Sequence, residues 1–343
     1  MRDLKSLSSQ DLSELTSRWG HPGYRVSQIR QWLYQKRIRE FSEMSNLPLA
    51  LRQRLAQEFY IGFLKIVHRE ESVDGTRKFL IELEDGRRIE SVLIRDEDRL
   101  TACISSQVGC PLGCEFCRTG RNGYERDLLG FEIAGQVLAL QDELGEGERI
   151  TNLVFMGMGE PLLNLQELRE ALDLFSAGEG LGFSPRRVTV STVGVVPAMK
   201  EMGSWGLKVK LAVSLNAADE KTRSRLMPID RRFPLSALIP ACRTFPLPKG
   251  QRITFEYVLI DGVNDRIQDA QALVRLLRGL PCKVNLIPFN EWAGCAFRPP
   301  SPGKVEAFQQ VLLDHHYTAL MRKSKGADIS AACGLLTGSS PGN

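Results

Sequence analysis

Arg99-Leu-Thr-Ala-Cys103-Ile-Ser-Ser-Gln-Val-Gly-Cys110-Pro-Leu-Gly-Cys114-Glu-Phe-Cys117 passes from a short apolar segment into a loop dense in glycine and cysteine. The last three cysteines are spaced C-x3-C-x2-C. Thiolates this close can hold three irons of a 4Fe–4S cube and leave the fourth iron open to another ligand, whereas a closed cluster takes four cysteines. A zinc site also needs a fourth ligand, and its usual signature pairs two short hooks. His21, His68, His315 and His316 all lie far off in the sequence. Cysteines acting only as small buried hydrophobes fit poorly beside Gly109, Pro111 and Gly113. The spacing points to an incompletely ligated iron–sulfur cluster, with zinc as the alternative.

C-terminal to this loop, strand and helix alternate. Apolar runs at 100–105, 152–156, 188–191, 209–214, 253–259, 283–287 and 318–321 are predicted as strands. Helical periodicity separates them at 131–143, 165–176, 195–202, 235–242, 268–277 and 304–313. Repeated β–α units with apolar strands predict a parallel sheet covered by helices. No Gly-x-Gly-x-x-Gly follows the first of these strands, which weakens a dinucleotide-binding fold. The expected class is α/β: six or more units over 100–325 could form a doubly wound sheet or a complete or partial barrel, followed by a tail over 326–343.

N-terminal to the loop the pattern differs. Residues 1–60 are predicted to form a small helical module, with Val26, Ile29, Trp32 and Leu33 in helical register and Leu51, Leu55 and Phe59 on the face of a second helix. Tyr24, Trp32 and Tyr34 near Lys36 and Arg37 could stack bases, though two of the three are expected to pack the module. Over 61–99, Asp85-Gly86 between two β-rich runs predicts a hairpin. The 343 residues are 43% hydrophobic and 25% charged, which excludes a disordered or low-complexity chain. No apolar run approaches the ~20 residues of a membrane span, so a cytoplasmic protein with no membrane partner, and a monomer, is expected. Net charge is +4, from 45 basic and 41 acidic residues. Basic groups at Arg118/Arg121/Arg126, Arg186/Arg187, Lys208/Lys210, Arg231/Arg232 and Arg322/Lys323/Lys325 permit an RNA track beside a site.

A C-x3-C-x2-C loop after a first β-strand resembles the radical S-adenosylmethionine (SAM) superfamily. Cys103-Ile-Ser-Ser-Gln-Val-Gly-Cys110, Phe155-Met-Gly-Met-Gly-Glu-Pro-Leu-Leu-Asn164, Val190-Ser-Thr-Val-Gly-Val-Val-Pro197, Ala212-Val-Ser-Leu-Asn-Ala217, Asn285-Leu-Ile-Pro-Phe-Asn290 and Asp328-Ile-Ser-Ala-Ala-Cys333-Gly resemble the RlmN family of dual-specificity RNA methyltransferases. The likeness runs from about residue 20 to 338. It implies a partial, (β/α)6-type, TIM-like radical SAM barrel, one 4Fe–4S cluster on Cys110, Cys114 and Cys117, and two SAM per turnover. It also implies SAM contacts at Gly159, Glu160, Ser191, Ser214, Leu215, Asn216 and Asn290. Most of these follow predicted strands, where β/α barrels carry their ligand sites.

Taken alone, Cys103 reads as a core residue of a strand, Cys333 is undetermined, and Glu90 reads as a solvent-facing strand residue. The resemblance assigns all three. Cys333 is implied to carry a methyl group as S-methylcysteine, Glu90 to accept the C2 proton of adenine, and Cys103 to resolve the protein–RNA thioether through a transient disulfide. The radical route answers a real difficulty, because C2 of adenine is electron-poor and offers no nucleophile to a SAM methyl group. The implied partners are 23S rRNA, tRNA at the adenosine 3′ of the anticodon, and an electron donor such as flavodoxin or ferredoxin. Cfr-type methylation at adenine C8, and a non-enzymatic RNA-binding protein with a structural metal, are the alternatives. Cys242, Cys282 and Cys295 match no motif and read as core or incidental.

Overall fold

The computed structural model describes residues 1–339. Ten strands form one sheet: β1 Lys65–Glu71, β2 Arg77–Glu82, β3 Arg88–Asp96, β4 Arg99–Cys103, β5 Asn152–Phe155, β6 Val188–Thr192, β7 Lys210–Ser214, β8 Ile253–Leu259, β9 Cys282–Pro288 and β10 Ala319–Met321. Their order across the sheet is their order in the chain. Pairing is antiparallel from β1 to β4 and parallel from β4 to β10. A doubly wound sheet reverses its strand order at a switch point. This sheet never reverses, so its winding is that of a barrel left open, and seven parallel strands stand where six were the minimum expected.

The parallel strands are legible because helices cover them. Gly130–Asp142, Leu165–Ser176, Val196–Ser204, Leu235–Thr244, Ile267–Leu276 and Pro302–Asp314 form the crossovers. Their buried residues, among them Leu168, Ala171, Leu172 and Phe175 on one helix, join the strand interiors in one continuous core. The hairpin expected before the barrel carries a third strand, β1, and is continuous with the barrel sheet. Val92 on β3 pairs with Cys103 on β4, and Cys103 pairs on its other side with Val154 on β5.

The N-terminal module holds the two helices predicted and one more, Ser9–Arg18, started by a reciprocal cap between Ser8 and Asp11. Tyr34 is buried, Trp32 donates from Nε1 to Asn46 Oδ1 at 2.6 Å, and Tyr24 is exposed with Arg25 stacked on its ring. Gln35 bonds to Gly178 O and Arg37 to Asp142, which tie the module to the barrel's helices. Among the described residues no helix is long and apolar enough to cross a membrane.

The basic groups divide in a way their sequence positions do not reveal. Arg186, Arg187 and Lys208 immediately precede β6 and β7, and Lys210 begins β7, so all four lie at the barrel end opposite the cysteine loop. Arg126 is held by Asp85 at 2.7 Å and Glu132 at 2.7 Å. The expectation that all five groups flank the site is therefore corrected: strand direction carries two of them to the far end, and internal ion pairs use Arg126.

One buried charge holds the loops at the barrel mouth. Arg223, wholly buried, donates to Val193 O at 2.6 Å after β6, to Leu215 O at 3.1 Å after β7, and to Asp230 Oδ1 at 2.6 Å. Removing one partner of such a pair strands the other charge in the interior. Asp230→Ala is expected to lose about 3–5 kcal/mol of stability, read as a lowered midpoint in chemical denaturation.

Candidate active site at the barrel mouth

The cysteine loop is framed by a small antiparallel pair, Gln107–Gly109 with Tyr124–Asp127. Cys110 N–H bonds to Gly123 O at 2.7 Å. Gly109 has φ +77°, and a Cβ there would sit 2.1 Å from Gly123 O, so the pair closes only with glycine at this position. Cys110, Cys114 and Cys117 all line one cavity of about 160 Å³. Leu226, Met227, Ile260 and Phe289 pack with Cys114 in a second apolar cluster, joined by Phe116, Trp292 and Phe297. Burial in this dry shell pushes Cys110 up to about 12 and raises Cys114 and Cys117 as well.

Thiols so placed stay protonated until a cation offsets the cost of charging them. Among the described residues no three His, Cys, Asp or Glu side chains close on a point that a single metal ion would fill. Zinc holds its ligands at about 2.0–2.3 Å around one centre. Three thiols that line one cavity without closing on such a point suit a multi-iron cluster.

The same cavity collects most of the remaining sequence-predicted residues: Gly159, Glu160, Ser191, Ser214, Asn216, Asn290 and Cys333. Glu160 is 3% exposed; its Oε1 accepts from Leu162 N–H at 3.1 Å and its Oε2 from Val193 N–H at 2.9 Å. Burial pushes its carboxyl up to about 7, against the pull of those hydrogen bonds. Asn216 sits at φ +60°, with Oδ1 accepting from Val258 N–H at 2.8 Å, so its amide braces the loop. Leu215 is not brought to the cavity: its side chain is wholly buried in the main core, and its backbone joins Glu256 and Arg223. The glycines beside Met158 are needed for packing within the chain. A Cβ on Gly157 would lie 2.7 Å from the Ile104 carbonyl, and one on Gly159 2.6 Å from Gln107 Cβ.

The C-terminal tail lies across the mouth. Asp328 roots it by accepting from Ser72 Oγ at 2.5 Å and Val73 N–H at 3.2 Å in the β1–β2 turn. Asn290 Nδ2 then donates to Cys333 O at 3.1 Å, Arg118 N–H to Gly334 O at 2.7 Å, and Thr119 Oγ1 to Leu336 O at 2.7 Å. Beneath the tail a smaller cavity of about 30 Å³ is lined by both Cys103 and Cys333. Both are free thiols. Burial pushes Cys103 up to about 12; the neighbouring Cys333 raises it further and Arg322 pulls it down.

Glu90 differs from its solvent-facing expectation. It is 2% exposed, on the face of β3 that also carries the buried Val92, and the tail covers it. Its Oε2 accepts from Thr337 N–H and from Gly338 N–H, the latter at 3.0 Å, and Lys78 Nζ lies 3.4 Å from Oε1. It borders the tail and not the main cavity. Two cavity residues, Glu256 and Arg322, went unrecognised as site residues in the sequence. A charge inside the apolar run Ile253–Leu259 was a usable signal for Glu256; Arg322 was counted only among the basic groups.

A model described as the ribosomal RNA large subunit methyltransferase N-terminal domain matches residues 2–61, and that of the radical SAM superfamily matches residues 104–276. A dual-specificity RNA methyltransferase RlmN of Desulfosudis oleivorans is 52% identical over 91% of this chain and 84% of its own. One of Geotalea uraniireducens is 50% identical over 98% and 96%. The crystal structure of a radical SAM methyltransferase from Sphaerobacter thermophilus superposes with a TM-score of 0.92 at 42% identity, covering 99% of this chain and 100% of that one. With the cysteine loop, the buried Glu160 and the tail thiol already gathered at one barrel mouth, this degree of identity along the chain makes the protein a member of the RlmN family of the radical SAM superfamily.

Proposed function

We propose that this chain methylates C2 of adenosine in 23S rRNA and in tRNA, carrying the methyl group on Cys333 and releasing product through a Cys103–Cys333 disulfide. The observation that supports this most is the shared cavity: two free thiols some 230 residues apart in the chain face one space beside the wall of three cysteines. Cys110, Cys114 and Cys117 would hold the 4Fe–4S cluster. Gly159, Glu160, Ser191, Ser214, Asn216 and Asn290 would hold SAM, with Glu160 suited to an ammonium group and Leu215 contributing through its backbone. When bound, the cluster and SAM supply a methyl group and a carbon-centred radical.

The chain's own residues do the rest. The Cys333 sulfur takes the methyl group and presents it at the mouth. Glu90 accepts the C2 proton, and Cys103 attacks Cys333 Sγ to break the link to RNA. As the tail lies here, the two cavities are smaller than the ~300–1,000 Å³ of ordinary ligand sites, so the tail lifts to admit a nucleobase. Lifting also frees Glu90 from the Thr337 and Gly338 N–H groups. The target adenosine leaves its stack to reach the mouth, as bases do in enzymes that modify them. The N-terminal module, over 1–60, and the basic residues at the mouth other than Arg322 supply phosphate contacts. A flavodoxin or ferredoxin serves as reductant, and the enzyme acts as a monomer.

Nucleosides from RNA of cells with and without the gene test this directly: 2-methyladenosine is expected to disappear from the latter. Loss of 8-methyladenosine with 2-methyladenosine unchanged would instead support the Cfr-type chemistry. Cys333→Ala is expected to abolish methyl transfer and retain iron, whereas Cys103→Ala should accumulate a covalent protein–RNA band on a denaturing gel. Replacing Cys110, Cys114 and Cys117 together should remove iron and SAM cleavage.

Glu160 adds a pH prediction for the cluster-free protein. Its carboxyl binds a proton more tightly in the fold, at about 7, than its ordinary 4.5. Its favourable contribution is therefore full below about 4.5 and is lost as pH rises through about 7. Relative to the parent, Glu160→Gln should gain roughly 3 kcal/mol over that interval, measured by denaturation midpoints at each pH.

A further inference from the structure

Arg322 borders both cavities beneath the tail. It directly follows β10, and its N–H bonds to Leu286 O at 2.9 Å. Among the described residues, its guanidinium makes no ion pair with a carboxylate; its side-chain hydrogen bond is to Met156 Sδ at 3.5 Å. A guanidinium carries five donors and does not lose its charge in proteins. Holding it beside an interior cavity with so few acceptors is unfavourable unless an anion forms there.

Glu256 faces the same space but does not satisfy it. Asn285 Nδ2 donates to Glu256 Oε1 at 3.0 Å, while Oε2 is buried without a hydrogen-bond partner. The strongest electrostatic influence on Arg322 is the Cys333 sulfur, and Glu256 and Cys103 act in the same direction against burial. Lys323 and Lys325 complete the charged lining of the small cavity. Among the charged residues Arg322 alone borders both spaces, which it shares with Asn290 and Cys333.

We propose that Arg322 is the positioning residue that makes Cys103 a nucleophile, stabilising its thiolate opposite Cys333 during the disulfide-forming step. The inference rests on Cys103 as the resolving cysteine. In that step the Cys103 thiolate attacks Cys333 Sγ. The S–S bond forms and the S–CH2 bond to the base breaks. The electron pair of the broken bond passes to the methylene carbon, which takes up a proton and becomes the product's methyl group. The two sulfurs are oxidised and the carbon is reduced, with no further reagent. The attacking species is the thiolate; burial leaves Cys103 very little of it at neutral pH even with Arg322 beside it, so the rate of attack follows what that cation contributes.

The test compares the cluster-loaded enzyme with its Arg322→Gln and Arg322→Lys variants, using a tRNA transcript under anaerobic turnover. Iodoacetamide labelling of Cys103 in the absence of RNA, followed by mass spectrometry across pH, gives a readout independent of turnover. Arg322→Gln is expected to form the covalent adduct but release it at least about tenfold more slowly at neutral pH, recovering in alkali. Its Cys103 should label at least about tenfold more slowly at each pH, the equivalent of a rise of about one pH unit. Arg322→Lys should restore most of both, and RNA affinity should not change. A Gln variant with unaltered release and labelling profiles overturns the proposal. So does lost RNA affinity with the thiol profile unmoved, which would assign the guanidinium to a phosphate. If Cys103→Ala accumulates adduct while Arg322→Gln resolves normally, only the role of Arg322 fails; if Cys103→Ala accumulates none, the resolving role fails and this inference with it.

Discussion

Backbone pairing on both sides of β4 is the constraint from which the site follows. The register Val92–Cys103–Val154 joins an antiparallel extension to a parallel barrel through one strand. A slip of one residue would turn every side chain of that strand to the opposite face. Cys103 would then leave the tail's underside, and the loop that follows would carry Cys110, Cys114 and Cys117 away from Glu160. The barrel supplies the cavity and the extension supplies Glu90, and the shared strand sets the distance between them.

Around that strand the protein places charge sparingly and neutralises it locally. Arg223 spends its guanidinium on two loop carbonyls and Asp230, so the segments after β6 and β7 move as one piece. Glu160 is buried but shares its oxygens with two backbone N–H groups. Against this background the half-buried Arg322 and the buried Glu256 stand out, both lining the main cavity without a direct bond between them. Arg223 finds its carboxylate within the fold; Arg322, beside the thiols, finds none among the described residues.

Local patterning revealed what local physics determines. The seven parallel strands were visible because burial on both faces makes them continuous apolar runs. β1, Lys-Ile-Val-His-Arg-Glu-Glu, was not, because an edge strand exposed along much of its length has little apolar signal. Glu220–Leu226 was missed for a related reason: of its seven residues only Arg223 and Leu226 are buried. The cysteines, Gly159 and Glu160 lie close together in short motifs and could be found. Arg322 and Glu256 acquire meaning only when β8 and β10 are brought to one wall, and no spacing in the chain encodes that. Glu90 was misplaced because the segment that covers it comes from the other end of the chain.

The root of the tail at Asp328 has a geometric consequence. Cys333 is five positions further along the chain, and an extended chain covers at most about 3.3–3.6 Å per residue. The sulfur is thus on a tether of roughly 17 Å, fixed to the β1–β2 turn by Ser72 and Val73. So short a leash cannot search an RNA surface; the nucleotide must travel to the enzyme. Selectivity would then fall to the RNA's own willingness to unstack an adenosine, and a rigid duplex would be refused by reach before any base was inspected.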